Sequence, residues 1–457
     1  IMVWIEKKQN RLPTALTIAG SDSGGGAGIQ ADIKTFAAVG VHGCSAITAI
    51  TAQNTQGVSK IQNISLDVIQ SQIVNVIDDI EVDAIKTGML YDADTIKLVS
   101  NTLSNYQIPL VIDPVMFSKS GTQLILENAI ETLKDKLIPI SKIITPNIPE
   151  AEKLSGIKIN NIEQAREAAH IISKLGVEAV LIKGGHSKDT AMSTDILLYK
   201  NNFEVSTKPR INNQNTHGTG CTYSAAITAY LSKGFDILDS LKKSRELVHS
   251  SIIHGLDIGH GHGPVNPLAN LYKQSELIKI FESLNEGLNL LSKEQKIIDF
   301  IPEVRTNLVY ALPEATTISE IASFPGRITT DGKSVIATSY PALGASTHLS
   351  KAIIEIMNVF PHIRSCINLK YSEDFLSTSK NLGFTIVKYN RKLEPKNIKI
   401  KEGNTMRWGL GEILKDQKTH FDIVFHLGDV GKEPMINVFG NNPQDVVKKT
   451  LSIIENL

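Results

Sequence analysis

Through the first half of this chain, short apolar runs recur, each closed by small or turn-forming residues and followed by a segment with helical spacing. ALTIAG (Ala15 to Gly20), DAIKTGML (Asp83 to Leu90), PLVIDPVM (Pro109 to Met116), KIITPN (Lys142 to Asn147) and AVLIKGG (Ala179 to Gly185) are such runs. Strands that alternate with helices form a parallel sheet whose two faces the helices cover. The expected fold class is therefore α/β, a doubly wound and mostly parallel sheet. Ligands of such sheets bind outside the carboxyl ends of the strands. The unusual residues of this sequence gather there: Gly20 to Gly28, Gly88, Asp113, Asn147 and Lys183 stand at or just past strand ends.

The chain has 457 residues, enough for about two or three domains at roughly 100–200 residues each. After GHGPVNPLANLY (Gly261 to Tyr272) the pattern becomes charged and helix-periodic up to about Phe300, with Leu277, Phe281, Leu284, Leu288 and Leu291 at helical spacing. The expected organisation is a first domain over 1–272, a helical connector over 273–300 and a second, smaller α/β domain over 301–457. Lys+Arg and Asp+Glu are equal at 47 each, and no basic cluster offers a footprint for nucleic acid. Cys44, Cys221 and Cys366 are odd in number and far apart, which argues for a reducing compartment rather than a disulfide scaffold. The opening IMVWIEKKQNRLP is too short in apolar residues for a secretory signal. No run approaches the roughly 18 apolar residues of a membrane span. A cytoplasmic chain without a membrane partner is expected.

The densest motif is TIAGSDSGGGAGIQADIKT (Thr17 to Thr35), a strand running into a glycine cluster and then a helix. Backbone amides there can approach a ligand closely, although a tight strand-to-helix turn would also explain the glycines. Neither the dinucleotide fingerprint nor a phosphate-binding Walker loop is present, since Ile29 takes the third glycine's place and no Lys follows. Asp32, read in the helix's first turn, would be favoured there by the dipole in any case. In NTHGTGCTYSAA (Asn215 to Ala226), Thr216, Gly218, Thr219 and Gly220 precede a small-residue helix with Cys221 near its start. Free amides and the helix dipole make an anion hole, and a thiol placed there should be acidified. Lys183 can meet phosphate as a point charge, while Asp113 and Glu150 offer oxygen ligands to Mg²⁺.

Together with GCSAITAITAQNT (Gly43 to Thr55), KTGML (Lys86 to Leu90), TPNIPEAE (Thr145 to Glu152) and KGGH (Lys183 to His186), these motifs stand in the order of one family. The first ~270 residues resemble the hydroxymethylpyrimidine/phosphomethylpyrimidine kinases (ThiD) of the ribokinase-like superfamily. The resemblance implies ATP as phosphoryl donor, Mg²⁺, and two successive phosphorylations of a hydroxymethylpyrimidine. It implies that Gly20, Asp32 and Gln53 hold the aminopyrimidine with Met89 near the ring. Lys183 and Asp195 would lie on the ATP side, and Asn147 with Glu150 would organise Mg²⁺ and phosphate beside Asp113. Where most ribokinase-like kinases end the corresponding glycine motif in a catalytic Asp, this chain has Cys221. The second nucleophile is already anionic and needs no strong base, so a thiol at an anion hole is compatible with both steps. Such kinases are commonly dimers, which makes a homodimer or larger assembly the expectation.

In the second half, FPGRIT (Phe324 to Thr329), GASTH (Gly344 to His348), INLKY (Ile367 to Tyr371) and FDIVFHLGDVGKEPM (Phe421 to Met435) stand out. Arg327 follows Pro-Gly and would project from a turn, where its planar fork suits phosphate. His348 follows residues able to cap a helix. GRITTDGKS is not a Walker loop, because Gly326 and Gly332 are one residue too far apart. These motifs resemble ThiN, a domain found fused to ThiD that serves as a thiamine-phosphate synthase. The resemblance implies condensation of hydroxymethylpyrimidine diphosphate with thiazole phosphate and loss of pyrophosphate. Arg327 and His348 would be essential, and Asn368, Asp429 and Glu433 would contact ligand. Arg327 suits the departing charge, whereas pyrophosphate contact and proton handling are equally open for His348. ThiN-like domains also sense thiamine phosphate beside DNA-binding modules, but no helix-turn-helix is evident here. For the first half, the alternative is a pyridoxal-type kinase. His254, His260 and His262 read as a glycine-rich loop rather than a metal site.

Overall fold

The computed structural model describes residues 11–118, 121–186, 191–395, 405–416, 421–429 and 432–457. The chain divides into two compact units, one ending at Leu271 and the other running Tyr272–Leu457.

In the first unit the strands are β1 (Thr14–Asp22), β2 (His42–Gln53), β3 (Val58–Asn63), β4 (Ala84–Thr87), β5 (Leu110–Ile112), β6 (Ile143–Ile144), β7 (Ala179–Ile182), β8 (Met192–Tyr199) and β9 (Asn202–Pro209). Among the described residues they form one sheet in the order β3-β2-β1-β4-β5-β6-β7-β8-β9. Pairing is parallel from β2 through β7 and antiparallel at both edges, where β3, β8 and β9 lie. The ribokinase-like α/β reading therefore holds, with a mixed sheet. Every residue of β4 to β7 is buried, as strands covered on both faces require. Alternation sends successive side chains to opposite layers: Ile85 joins Leu16, Ile96 and Val99 on one side, while Ala84 joins Val111, Ile143 and Leu241 on the other. The helix Thr219–Ser232 presents Ala225 and Ala229 to Ala15 and Phe36. Its small side chains let it lie close against the sheet, which brings its N-terminus to the strand ends.

The second unit is built on β10 (Leu308–Ala311), β11 (Ile321–Ser323), β12 (Ile328–Thr330), β13 (Val335–Ala337), β14 (Ala342–Leu343), β15 (Ser365–Lys370), β16 (Ile386–Lys388), β17 (Ile423–His426) and β18 (Met435–Gly440). Its main sheet has the order β14-β11-β10-β15-β18-β17-β16, and β12 pairs separately with β13. Pairing is antiparallel apart from β16 with β17. This is the second α/β region expected. The stretch read as a connector, 273–300, is mostly helical, but it is no free linker: Ile280, Leu284, Leu291 and Ile297 are buried in one core with Leu308, Ile367 and Val438. No described helix is long and apolar enough to cross a membrane.

Candidate active site

A cavity of about 720 Å³ opens at the carboxyl ends of the first unit's strands, where a sheet of this topology places ligands. Gly20, Gln53, Met89, Asp113, Glu150, Lys183, Asp195, Thr216, Gly218, Thr219, Gly220 and Cys221 all line it. Residues from motifs spread over about 200 positions thus share one wall.

Two glycine loops meet at its mouth. The Asp22 carboxylate accepts from the Gly24 amide at 2.8 Å with Oδ1, and from Gly26 and Ala27 at 3.0 and 2.8 Å with Oδ2. His217 Nε2 lies 3.1 Å from the same Oδ2 and 3.1 Å from Gln53 Nε2, tying the later loop to the earlier one. Burial opposes ionisation of Asp22, yet the hydrogen bonds from His217, Gly24 and Ala27 hold its carboxyl below its ordinary value. Gly218 caps the helix Thr219–Ser232 in the left-handed region at φ 77°, and a Cβ there would lie 1.8 Å from the Gly26 carbonyl oxygen. Only glycine fits such an approach, and it sets the helix's positive end beside the first loop, the Thr219 amide itself donating to the Thr216 carbonyl at 3.3 Å.

Charged groups ring the cavity below the loops. Lys183 Nζ donates to Asp113 Oδ1 at 2.9 Å, and Ser224 Oγ donates to Asp113 Oδ2 at 3.2 Å. Against the effect of burial, Lys183 and then Lys86 hold the Asp113 carboxyl below its usual range. Asn147 and Glu150 form a reciprocal capping box on the helix Ile148–Ser155: the Glu150 amide donates to Asn147 Oδ1 at 2.9 Å, and the Asn147 amide to Glu150 Oε2 at 2.8 Å. Burial pushes Glu150 up to about 7, with nearby Asp113 adding to the rise and Lys183 opposing it. Asp195 is held by the Gly184 amide at 2.9 Å, the Tyr223 hydroxyl at 3.0 Å and the Arg245 guanidinium. Among the described residues no group of three or more His, Cys, Asp or Glu is arranged to hold a metal ion. Asp113 and Glu150 supply two buried carboxylates, a donor set that fits Mg²⁺, which keeps several waters and takes one or two carboxylates plus substrate phosphates.

Two expectations need correction. Asp32 does not line the cavity. The helix starts at Gly28, so Asp32 falls beyond its first turn and turns inward; there its Oδ2 accepts from Thr17 Oγ1 at 2.6 Å and Lys86 Nζ at 2.8 Å. Cys221 is not acidified. Burial pushes its thiol up to about 12, with Asp32 and Asp113 raising it further and Lys86 and the Gly28 amide opposing. Other residues were missed. Lys86 lines the cavity, and a lysine inside the apolar run DAIKTGML was its signal, since lysine is almost never fully buried unless paired. Asp22 and His217 sat inside quoted motifs without a role. Arg245 lies 50 positions from Asp195 and gave no local signal.

In the second unit, Arg327 is exposed in a turn at φ 69°, its amide donating to the Phe324 carbonyl at 3.0 Å and its guanidinium to the Val304 carbonyl. Asn368, nearly buried on β15, donates to the Arg305 carbonyl at 3.1 Å and accepts from the Asn307 amide at 2.8 Å. Its amide therefore stitches the sheet. Glu433 Oε1 accepts from the Glu303 amide at 3.2 Å, so Arg327, Asn368 and Glu433 converge on the stretch Glu303 to Arg305. Asp429 is half-buried and forms an isolated bridge with Lys432. His348 is exposed at the second position of the helix Thr347–Met357, with Ser346 as its cap residue.

Residues 22–266 match the family model described as phosphomethylpyrimidine kinase, and residues 283–452 match that of thiamine-phosphate synthase ThiN. A hydroxymethylpyrimidine/phosphomethylpyrimidine kinase of Bacillus subtilis is 46% identical over 264 residues, which is 58% of this chain and 97% of that protein. A thiamine biosynthesis bifunctional protein ThiED of Geobacter sulfurreducens is 45% identical over 254 residues, covering 55% of this chain but only 52% of that relative. Among solved structures, an ADP complex of Bacillus subtilis pyridoxal kinase superposes with a TM-score of 0.54 at 37% identity, over 57% of this chain and 99% of that one. A Staphylococcus aureus pyridoxal kinase in complex with AMP-PCP gives a TM-score of 0.54 at 35% identity, over 57% and 95%.

Proposed function

This chain belongs to the phosphomethylpyrimidine kinase family and continues into a ThiN region, and we propose on that premise that it makes a pyrimidine diphosphate in its first unit and joins it to a thiazole phosphate in its second. The observation that carries the first part is the convergence of Gln53, Lys183 and the Gly218 to Cys221 loop on one cavity. ATP is the phosphoryl donor in this reading. The positive helix end at Gly218 to Cys221 receives the transferring phosphoryl group, whose loose transition state asks mainly for positioning and charge neutralisation. Lys183 supplies a fixed positive charge beside it. Gln53 and Met89 hold the pyrimidine, while Asp32 acts through Lys86 instead of touching it. With its thiol raised to about 12, Cys221 does not serve as a thiolate base at neutral pH; it positions the attacking oxygen as a thiol. Asp113 and Glu150 would hold Mg²⁺, which when bound neutralises phosphate charge.

For the second unit, Arg327 meets the departing pyrophosphate and His348 the same group or a proton. An aminopyrimidine can release pyrophosphate with the bonding electron pair and remain as a stabilised cation, so the protein's task is to neutralise the departing charge and exclude water. Both proposals are tested with the purified full chain. Supplied with ATP and hydroxymethylpyrimidine, it should form the monophosphate and then the diphosphate, with kcat/KM well above that for pyridoxal; a pyridoxal preference would defeat the assignment. Given the diphosphate and thiazole phosphate, it should release thiamine phosphate, and Arg327→Ala should abolish that product while pyrimidine phosphorylation continues. Binding of thiamine phosphate without synthesis would identify the second unit as a sensor.

A further inference from the structure

Lys86 enters the chemistry above only as the partner through which Asp32 acts, yet its setting is unusual. It sits on β4 with no exposed side-chain surface, and it lines the cavity. A lysine ammonium carries three N–H donors. Among the described residues the acceptor it meets is Asp32 Oδ2, at 2.8 Å. Two donors are left without an acceptor among the described residues, and an unanswered buried donor costs more than an ordinary hydrogen bond contributes. The ammonium is also held in place. Asp32 Oδ2 is itself fixed by Thr17 Oγ1 at 2.6 Å, and Gly88 leaves the space beside Nζ clear, since a Cβ there would lie 2.9 Å from it. Burial favours the neutral amine, but the charge of Asp32, with Asp113 behind it, keeps Lys86 above its ordinary value and so protonated. Lys86 lines the same cavity as Asp113, Gly220 and Cys221, the end of it where the substrate's reacting arm must lie.

A kinase acting twice on one substrate faces a change of charge at that corner. In the first step the arm is a neutral alcohol; in the second it is a phosphate monoester carrying about −1.5 to −2. Lys183 is engaged with Asp113 and serves the group arriving from ATP in both steps. The second step therefore needs another cation. We propose that Lys86 is that cation, its two remaining donors taking oxygens of the pyrimidine-bound monophosphate, so that it is a substrate-binding residue specific to the second phosphorylation. The inference rests on the two-step reading of this site.

The test uses the full chain carrying Lys86→Met together with Asp32→Asn, because the lysine change alone would strand a buried carboxylate. Efficiency with ATP is measured separately for the alcohol and for its monophosphate. Loss of two charge-assisted hydrogen bonds should lower kcat/KM for the monophosphate about a hundredfold or more beyond the loss for the alcohol, mainly through KM. Equal loss on both substrates would mean a structural ion pair and overturn the proposal. Gly88→Ala, which displaces the ammonium without removing its charge, gives a second reading: it should raise KM for the monophosphate more than for the alcohol, and an unchanged ratio counts against the role. A wild-type chain that fails either step refutes the two-step reading itself. A wild type competent in both steps, with variants of unchanged ratio, refutes only the part given to Lys86.

Discussion

Alkylation of Cys221 separates two opposed physical effects by their size. A helix N-terminus favours the thiolate by at most about 1 kcal/mol at an exposed site, less than one pKa unit. Burial in this cavity moves the thiol the other way, from 9.0 to about 12. Three units correspond to about a thousandfold less thiolate at neutral pH. The dipole returns less than tenfold, and the greater nucleophilicity of a less acidic thiolate returns roughly tenfold more. At pH 7.5 iodoacetamide should therefore label Cys221 at least about tenfold more slowly in the folded chain than in urea, followed by mass spectrometry of the peptide that contains it. The cavity reaches the residue, so access does not explain the difference. Labelling in the folded chain as fast as in urea would show that the anion hole, not burial, governs this thiol, and the positioning role assigned to Cys221 would fall.

Glu150 ties stability to pH. Its carboxyl is raised from 4.5 to about 7, so the folded state holds a proton that the unfolded state has released. That contribution is fully present below about pH 4.5 and is lost as pH rises through about 7; the shift of about 2.5 units amounts to about 3 kcal/mol. Denaturant melts of the full chain without divalent cation should show Glu150→Gln flattening this decline, and parallel profiles for the two proteins would refute the assignment. In the second unit, both amide atoms of Asn437 are buried without a hydrogen-bond partner among the described residues. Replacing it by Leu, of similar size, should leave Tm unchanged or higher, because it removes an unanswered polar group; a drop equivalent to more than about 2 kcal/mol would contradict that account.

The strand ends of the first unit were legible because each apolar run stops at a turn residue, and the order of runs sets the order of parallel pairs. The antiparallel edges were not. In VSKIQN every residue of β3 is at least partly exposed, and so it lacks the apolar signal that marked the central strands. The NIPE motif marked Asn147 and Glu150 as a pair, and the structure joins them in a capping box that had not been expected; its closeness to Lys183 and Asp113 depends on pairing between distant strands. Asp32 was misread because one helix start decides which face a carboxylate takes, and the glycine cluster offers several starts. Cys221 was misread because the dipole is visible in sequence whereas desolvation is not. In the second unit the short motifs marked Arg327 and Asn368, but the Glu303 to Arg305 backbone to which both bond carries no mark of its own.

The contact between Gly26 and Gly218 makes two stretches of chain, separated by nearly two hundred residues, into a single heritable part. A library that randomises 24–28 to admit a bulkier substrate would return glycine at position 26 unless His217 and Pro264 varied with it, because a Cβ there would lie 2.5 Å from the His217 ring and 2.9 Å from the Pro264 ring. Chimeras with a related kinase face the same rule: any crossover between residues 29 and 214 joins one parent's first loop to the other's second. Such hybrids should succeed or fail according to the match of those two loops, not the overall identity of the parents.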